Sequence, residues 1–393
     1  MTNNSQLKVA AFFKSNYPDG SSPMEVRLHL YMKALQSAGA EVCIFVPSDT
    51  QNKEQIWDHV KYKYLLVDDL SRFSGLSIHK YYADLIKQNL NAYDVVFTCL
   101  DDDNQIMHYI KAVHSFGGKL VMEMNENPYS IIASRKDFKP ILFIKRWYFL
   151  KFITPKIDGL IVISRNLENL FNKHKGKKKH VVRIPVLSSQ YSNISKKILQ
   201  TDHHYILHAG SLSEQKDGIK AMMSAYKIAK SNLNTELSFF FTQNKGLPSI
   251  LKWINQFILS NQLEKNIVFK GILSPTELEK LYVGCDLAII NKPHNFQNDF
   301  NFSSKIPELI QRKIPLIISR TKEHEFYFRH DFNCYLVEPN DDVAIAKGIV
   351  KIITDKKYSE YIAENASKLI ETDFYYLNHQ NSLFDFFNKV KNS

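Results

Sequence analysis

Apolar residues recur along this chain with two different periods, and their alternation predicts the architecture. Short runs at 7–13 (LKVAAFF), 41–47 (EVCIFVP), 94–99 (DVVFTC), 119–124 (KLVMEM) and 159–164 (GLIVIS) read as buried strands, with helical patterns between them. The first helix is predicted from Pro23 to about Ala38. Ser22 is its N-cap, Pro23 takes the first helical position, and Glu25 completes a Ser-x-x-Glu capping box. Leu28, Tyr31, Met32 and Leu35 form its apolar stripe, and Gly39 ends it.

From residue 186 the periodicity lapses into a polar stretch, and a linker is placed at 188–203. A second series follows, with strands at 204–210 (HYILHAG), 237–241, 266–271, 286–290, 315–319 and 334–338. Ile219, Met222, Met223 and Tyr226 stand at helical spacing after the first of these, and Ser274, Pro275 and Glu277 open another helix. Strands alternating with helices imply parallel sheets. The expected fold class is therefore α/β, with two Rossmann-like parallel-sheet domains, 1–187 and 204–373, facing a cleft. Ligands in such folds bind beyond the carboxyl ends of the strands. Residues 374–393 read as a last helix, which either closes the second domain or crosses back to the first.

Composition narrows the class. A chain of 393 residues exceeds one typical core. At 44% hydrophobic and 23% charged it is ordinary for a globular protein. Cys43, Cys99, Cys285 and Cys334 show no CxxC or His pairing, which points to free thiols in a reducing compartment and away from disulfides or zinc. The start lacks the form of a signal peptide, and no apolar run approaches the roughly 20 residues of a spanning helix. The expected location is the cytoplasm, with attachment to the inner face of the cell membrane as an added expectation.

That addition comes from charge. The net charge is +11, consistent with nucleic acid, anionic lipid or phosphorylated small molecules. Between Arg135 and Lys156 seven lysines or arginines meet one acid, Asp137, among Phe143, Trp147, Tyr148, Phe149 and Phe152. Basic and aromatic residues mixed on a helix suit the headgroup layer of an anionic membrane surface. A buried helix whose lysines reach out to solvent is the alternative. The second basic run, 172–180 (NKHKGKKKH), reads as a solvated loop, and nucleic acid is set aside because neither run carries a recognised motif.

Three strand-to-helix turns carry candidate chemistry. Gly20, Ser21 and Ser22 precede a helix whose free amides suit an anion. Gly210, Ser211 and Ser213 lead to Lys216 just before a helix, where a cation opposes the helix dipole unless an anion is near. Pro307 cannot lie deep in a helix, so the third helix must begin at Ser303 or Ser304, next to Lys305, with Glu308 one turn in. Phosphate at amides and sugar hydroxyls at a carboxylate describe a nucleotide sugar. Glu123 and Glu126 follow a first-domain strand and would face the cleft, where either could orient an acceptor or take its proton.

These residues resemble a known family. Gly210-Ser-Leu-Ser-Glu-Gln-Lys216 is similar to the G-[RS]-L-x-x-x-K element of GT-B glycosyltransferases of the family 4, retaining type. Ser303-Ser-Lys-Ile-Pro-Glu308 with Pro315-Leu-Ile-Ile resembles its K-x-x-E-Y-L…P-V-I segment. Pro18-Asp-Gly-Ser-Ser with Arg27, and Cys334 to Asp341, are similar to its N-terminal loop and its late G-x-L-V-x-P-x-D. The resemblance implies that Lys216 contacts a donor diphosphate, that Ser303 and Ser304 receive phosphate, that Glu308 contacts the donor ribose, and that the Gly20–Arg27 region faces the acceptor. It implies a nucleotide-sugar donor, a glycan or lipid-linked glycan acceptor, and neither a cofactor nor a bound metal. The chain departs from the pattern at four places. Ser211 stands where arginine is frequent, Asp217 is inserted after Lys216, Phe300 occupies the position of a first glutamate with Asp299 beside it, and Lys313 replaces a glycine. A sugar-nucleotide epimerase on the same fold and a catalytically silent scaffold subunit are the rival readings.

Overall fold

A computed structural model describes residues 6–14, 17–18, 22–51, 53–67, 75–99, 103–130, 140–174, 179–189, 203–271 and 273–393. The chain divides into two compact units, Met1–Ser189 with Tyr375–Ser393, and Gln190–Phe374. Of the expected features, Gly20, Ser21, most of the 188–203 linker, positions 135–139 and positions 175–178 lie outside the described residues.

The first unit is built on eight strands: β1 (Lys8–Phe12), β2 (Glu41–Ser48), β3 (Glu54–Trp57), β4 (Val60–Leu66), β5 (Val95–Cys99), β6 (Lys119–Met124), β7 (Gly159–Val162) and β8 (His180–Arg183). They are ordered β3-β4-β2-β1-β5-β6-β7-β8, and every pair is parallel except the β3–β4 hairpin. The hairpin and β8 are additions to the strands expected from sequence. Asp58 and His59 make the two-residue turn between Trp57 and Val60, both at positive φ, with no glycine to announce it. β8 is half-buried throughout and emerges from a basic run, so its apolar signal is weak.

Helix Pro23–Ser37 forms with the predicted Ser22 N-cap and with Pro23 at its first position. The Ser22 hydroxyl accepts the Glu25 amide at 3.1 Å, and Leu28, Tyr31, Met32 and Leu35 are wholly buried. Against it packs helix Gln380–Lys391, so the tail crosses back into the first unit. That helix buries Leu383, Phe387 and Val390, with the Phe387 ring 6.2 Å from Phe97. β7 begins at a glycine for this reason: a Cβ on Gly159 would stand 2.8 Å from both Phe386 and Val390.

The second unit has six parallel strands: β9 (His203–His208), β10 (Glu236–Phe241), β11 (Ile267–Phe269), β12 (Leu287–Ile290), β13 (Leu316–Ser319) and β14 (Tyr335–Val337). Their order is β11-β10-β9-β12-β13-β14. The chain winds outward from β9 in one direction and then from β12 in the other. The β9–β12 boundary is thus a topological switch point, where connections leave on opposite faces and a crevice opens at the carboxyl ends. Helix Ile219–Ser231 buries Ile219, Met222, Met223 and Tyr226 against this sheet, as their spacing predicts. Helix Pro275–Val283 carries a complete capping box between Ser274 and Glu277.

Truncating Phe387 to alanine removes an aromatic ring from the seam between the returning helix and β5. Urea unfolding should show the first unit destabilised by about 4 kcal/mol, with the second unit's transition unmoved.

Candidate functional site

A cavity of about 270 Å³ opens at the β9–β12 switch point. Its walls come from four segments: His208 to Ser211 with Lys216 and Asp217 after β9, Thr242 and Gln243 after β10, Ile290 and Lys292 at the end of β12, and Asn301 to Lys305. Gly210, Ser211, Lys216, Ser303, Ser304 and Lys305, drawn from two motifs far apart in sequence, therefore meet in one place.

Local chemistry sets the first wall. β9 ends at His208, and the chain turns closely because position 210 lacks a side chain: a Cβ there would lie 2.7 Å from His208 Nε2. The Ser213 hydroxyl then caps the short helix Glu214–Asp217 by accepting the Lys216 amide at 3.1 Å. Gly218 ends that helix at φ 56 and opens the next. A Cβ at Gly218 would stand 2.3 Å from both Asn291 Nδ2 and Asn340 Oδ1. Asn291 Nδ2 uses the free space to donate to the Gly218 carbonyl at 3.1 Å.

The floor holds two residues that sequence reasoning did not place there. Asp217, which reads in the sequence as an insertion, is 3% exposed and forms an ion pair at 2.6 Å with Lys292, itself 9% exposed. Asp217 Oδ2 also accepts the Ser211 hydroxyl, so both carboxylate oxygens are engaged. Burial works to raise the Asp217 pKa, but Lys292, His208 and the two hydrogen bonds outweigh it and hold the group below the ordinary carboxylate range. The imidazole pKa of His208 is also lowered, and in its case burial is the cause, with its ring nitrogens 3.3 Å from the Ile289 and Ser211 carbonyls. Lys292 is fixed in turn by its amide, which donates to the Ser319 hydroxyl at 2.6 Å. The signal for Lys292 was present in the sequence as a lysine two residues beyond an apolar strand, at the end where ligands bind.

Asn298 braces the same wall. Its side-chain amide donates to the carbonyls of Gln215, Lys216 and Pro293 at 3.2, 3.3 and 2.9 Å, tying the lysine's turn to the segment after β12. The third helix starts at Lys305, one position beyond the later of its two expected starts, with Ser304 as N-cap. Glu308 is held by Tyr282, which donates to it at 2.9 Å, and by Lys305 at 3.1 Å. Neither Glu308 nor Asp299 lines the cavity. Asp299 lies half-buried on the short turn Asn298–Phe300, where Phe300 packs 5.2 Å from Phe296.

In the first unit the expected residues take other places. Arg27 and Glu123 meet each other: Nε donates to Oε1 at 2.7 Å and Nη2 to Oε2 at 3.1 Å, with both residues buried. Tyr31 donates to Oε1 at 3.1 Å and the Cys99 thiol to Oε2 at 3.6 Å. Glu123 and Arg27, expected to face ligand, thus saturate one another inside the unit. Ser22 uses its hydroxyl as the helix cap. Glu126, in the turn after β6, is half-buried. No group of acids, histidines or cysteines among the described residues could hold a metal ion.

Comparison with known proteins agrees with this geometry. Residues 190–369 match the family model of glycosyl transferases group 1. The uncharacterized glycosyltransferase MJ1607 of Methanocaldococcus jannaschii is 24% identical over 170 residues, which is 43% of this chain and 41% of that protein, so the match spans less than half of its length. Among solved structures, sucrose-phosphate synthase from Thermosynechococcus elongatus superposes with a TM-score of 0.73 at 14% identity, covering 98% of this chain and 99% of the other. HepE from Anabaena, solved with UDP and glucose, gives 0.70 at 15% identity over 98% and 100%. The chain is thus similar to group 1 glycosyl transferases over residues 190–369. Its fold is that of the GT-B glycosyltransferases.

Asp217→Asn should lower the second unit's stability by about 3 kcal/mol, because it leaves Lys292 buried without a counter-charge, and adding Lys292→Met should restore most of the loss. Since the folded-state pKa of Asp217 is depressed, its contribution is in place above about pH 4 and disappears as pH falls through the folded value. Urea stabilities of wild type and Asp217→Asn should therefore converge in acid; a constant gap down to low pH would contradict the pair's role.

Proposed function

We propose that this protein transfers a sugar from a nucleotide-sugar donor to a carbohydrate acceptor, with retention at the anomeric carbon. The observation that carries the reading is the convergence of Lys216, Ser303, Ser304 and Lys305 on one cavity at the β9–β12 switch point. In the reaction the bond from the anomeric carbon to the diphosphate oxygen breaks and the acceptor hydroxyl oxygen takes that carbon. The negative charge grows on the departing diphosphate, so cations fixed beforehand stabilise the transition state more than the ground state. Lys216 and Lys305 supply such charge. Lys292 lies beneath the loop with its charge balanced by Asp217, so the pair fixes the turn that carries Lys216 and adds no net charge. Lysine ammonium groups fill the role of a metal ion in this scheme. Glu308, oriented by Tyr282 and Lys305, accepts the ribose hydroxyls, and Glu126 orients the acceptor hydroxyl or takes its proton as it attacks. HepE was crystallised with UDP-glucose, which supports a nucleoside diphosphate sugar as donor class.

A lipid-linked acceptor at a membrane face belongs to the same proposal. Helix Pro140–Tyr148 has no buried residue, and exposes Ile141 at 72%, Ile144 at 60% and Tyr148 at 50%, next to Lys145 and Arg146. The segment is divided, since Phe149, Leu150 and Ile153 just after this helix are buried and fit the alternative of a buried helix with extended lysines. Exposed apolar side chains flanked by cations fit an anionic bilayer surface. No helix among the described residues is long and apolar enough to cross a membrane. Likeness to the lipopolysaccharide outer core galactosyltransferase WaaB, at 13% identity with a TM-score of 0.61, supports an acceptor of this kind.

A thermal-shift panel of UDP, GDP, ADP and CMP sugars should find one nucleotide that stabilises the protein. Lys216→Ala should abolish that shift and lower kcat/KM about a hundredfold, with a similar drop in kcat for Glu126→Gln. No response to any nucleotide would favour the scaffold reading, and near-normal turnover of Glu126→Gln would remove that residue from the mechanism. For the membrane, flotation with phosphatidylglycerol vesicles should recover the wild type at low salt and lose Ile141→Ser/Ile144→Ser. Absence of wild-type flotation would end the docking proposal.

A further inference from the structure

A second cavity, about 400 Å³ in volume, lies in the first unit between β8 and helix Gln380–Lys391. Lys179 and His180 line it from the strand, and Ser382, Asp385 and Lys389 from the helix. Lys179 is unusual for such a groove because it is 4% exposed. Its ammonium donates to the Thr154 carbonyl at 2.9 Å and stands 5.4 Å from the centre of the Phe171 ring. Both contacts ease the loss of water, yet neither brings a full negative charge. With no compensating anion among the described residues, burial pushes the amine's pKa down to about 7. At the rim, Lys389 and Asp385 are exposed, so the lining carries two lysines, a histidine and a hydroxyl against one carboxylate.

We propose that this cavity binds a phosphate-bearing anion, held by Lys389 at the rim and attracted by the buried positive charge of Lys179 in its wall. Ser382 and His180 supply further hydrogen-bonding groups, and Asp385 is the one lining group that opposes the anion. The phosphate could be a lipid headgroup or a soluble phosphate compound. Position favours attention to the first, because Thr154 opens the turn Thr154–Lys156 that continues from the exposed helix Pro140–Tyr148 through Phe149–Ile153. The proposal stands apart from the nucleotide-sugar reading, since none of its residues lines the cavity that holds Lys216.

Calorimetric titration with inorganic pyrophosphate at physiological salt tests it. Two classes of site are expected. Lys216→Ala should remove one, and Lys179→Met and Lys389→Ala should each weaken the other by about tenfold. Lys389 is exposed, so its variant reads the site even if Lys179→Met fails to fold. Phosphatidylglycerol flotation of the same variants separates the sources: reduced flotation assigns the site to a headgroup, and unchanged flotation with a weakened pyrophosphate class assigns it to a soluble compound. If both lysine variants leave pyrophosphate binding and flotation at wild-type values, the proposal is overturned.

Discussion

The pair between Lys292 and Asp217 joins the two sides of the switch point in the second unit. Asp217 ends the short helix after β9, Lys292 follows β12, and they lie 75 residues apart in sequence. Burying two charges is unfavourable unless their remaining hydrogen-bonding capacity is also met. Here the carboxylate takes a second donor from Ser211, and the lysine's backbone is pinned by Ser319. The geometry of the cavity follows from that closure. Lys216 is one residue from Asp217, so anchoring the aspartate fixes the turn from which the lysine reaches the opening. Gly210, Gly218, Asn291 and Asn298 then settle the surrounding backbone through close approach and neutral amide contacts, which add shape without adding charge.

This arrangement gives the departures from the family pattern a physical meaning. A serine at 211 removes a cation from the loop, but its hydroxyl is spent on Asp217, and Asp217 retains Lys292 in the floor. On the proposed reading Lys292 stays charged in the floor because Asp217 balances it, and the charge offered to a phosphate comes from Lys216 and Lys305. A phosphate entering such a site meets donors that need little rearrangement, which is the condition for electrostatic stabilisation to act on the transition state.

Much of the fold was legible because its signals are local. Caps at Ser22 and Ser274, the stripe from Leu28 to Leu35 and the apolar runs of the central strands each depend on residues a few positions apart. The convergence of Lys216 with Ser303–Lys305 was legible too, since both follow strands whose carboxyl ends must lie together in a parallel sheet. What was not legible depends on partners distant in sequence. Glu123 and Arg27 look like ligand-facing residues until the fold brings them together across 96 positions. Asp217 looks like an insertion until Lys292 is beside it. The β3–β4 hairpin turns on Asp58 and His59, residues whose side chains do not demand positive φ, and β8 carries too little apolar content to stand out from its basic surroundings.

The return of helix Gln380–Lys391 to the first unit bears on how the protein is made. Chains emerge from the ribosome amino end first, and domains generally fold as they appear. Here the first unit to emerge is not the first that can be finished, because the surface formed by Leu28, Phe97 and Gly159 waits for Phe386, Phe387 and Val390, which are synthesised after the whole of the second unit. During that interval an apolar face of the first sheet is without its cover while the second unit already has every strand of its own. Completion of the amino-terminal half is thereby tied to synthesis of the carboxyl-terminal one, and a nascent chain interrupted before residue 380 would present an uncapped core to chaperones and proteases.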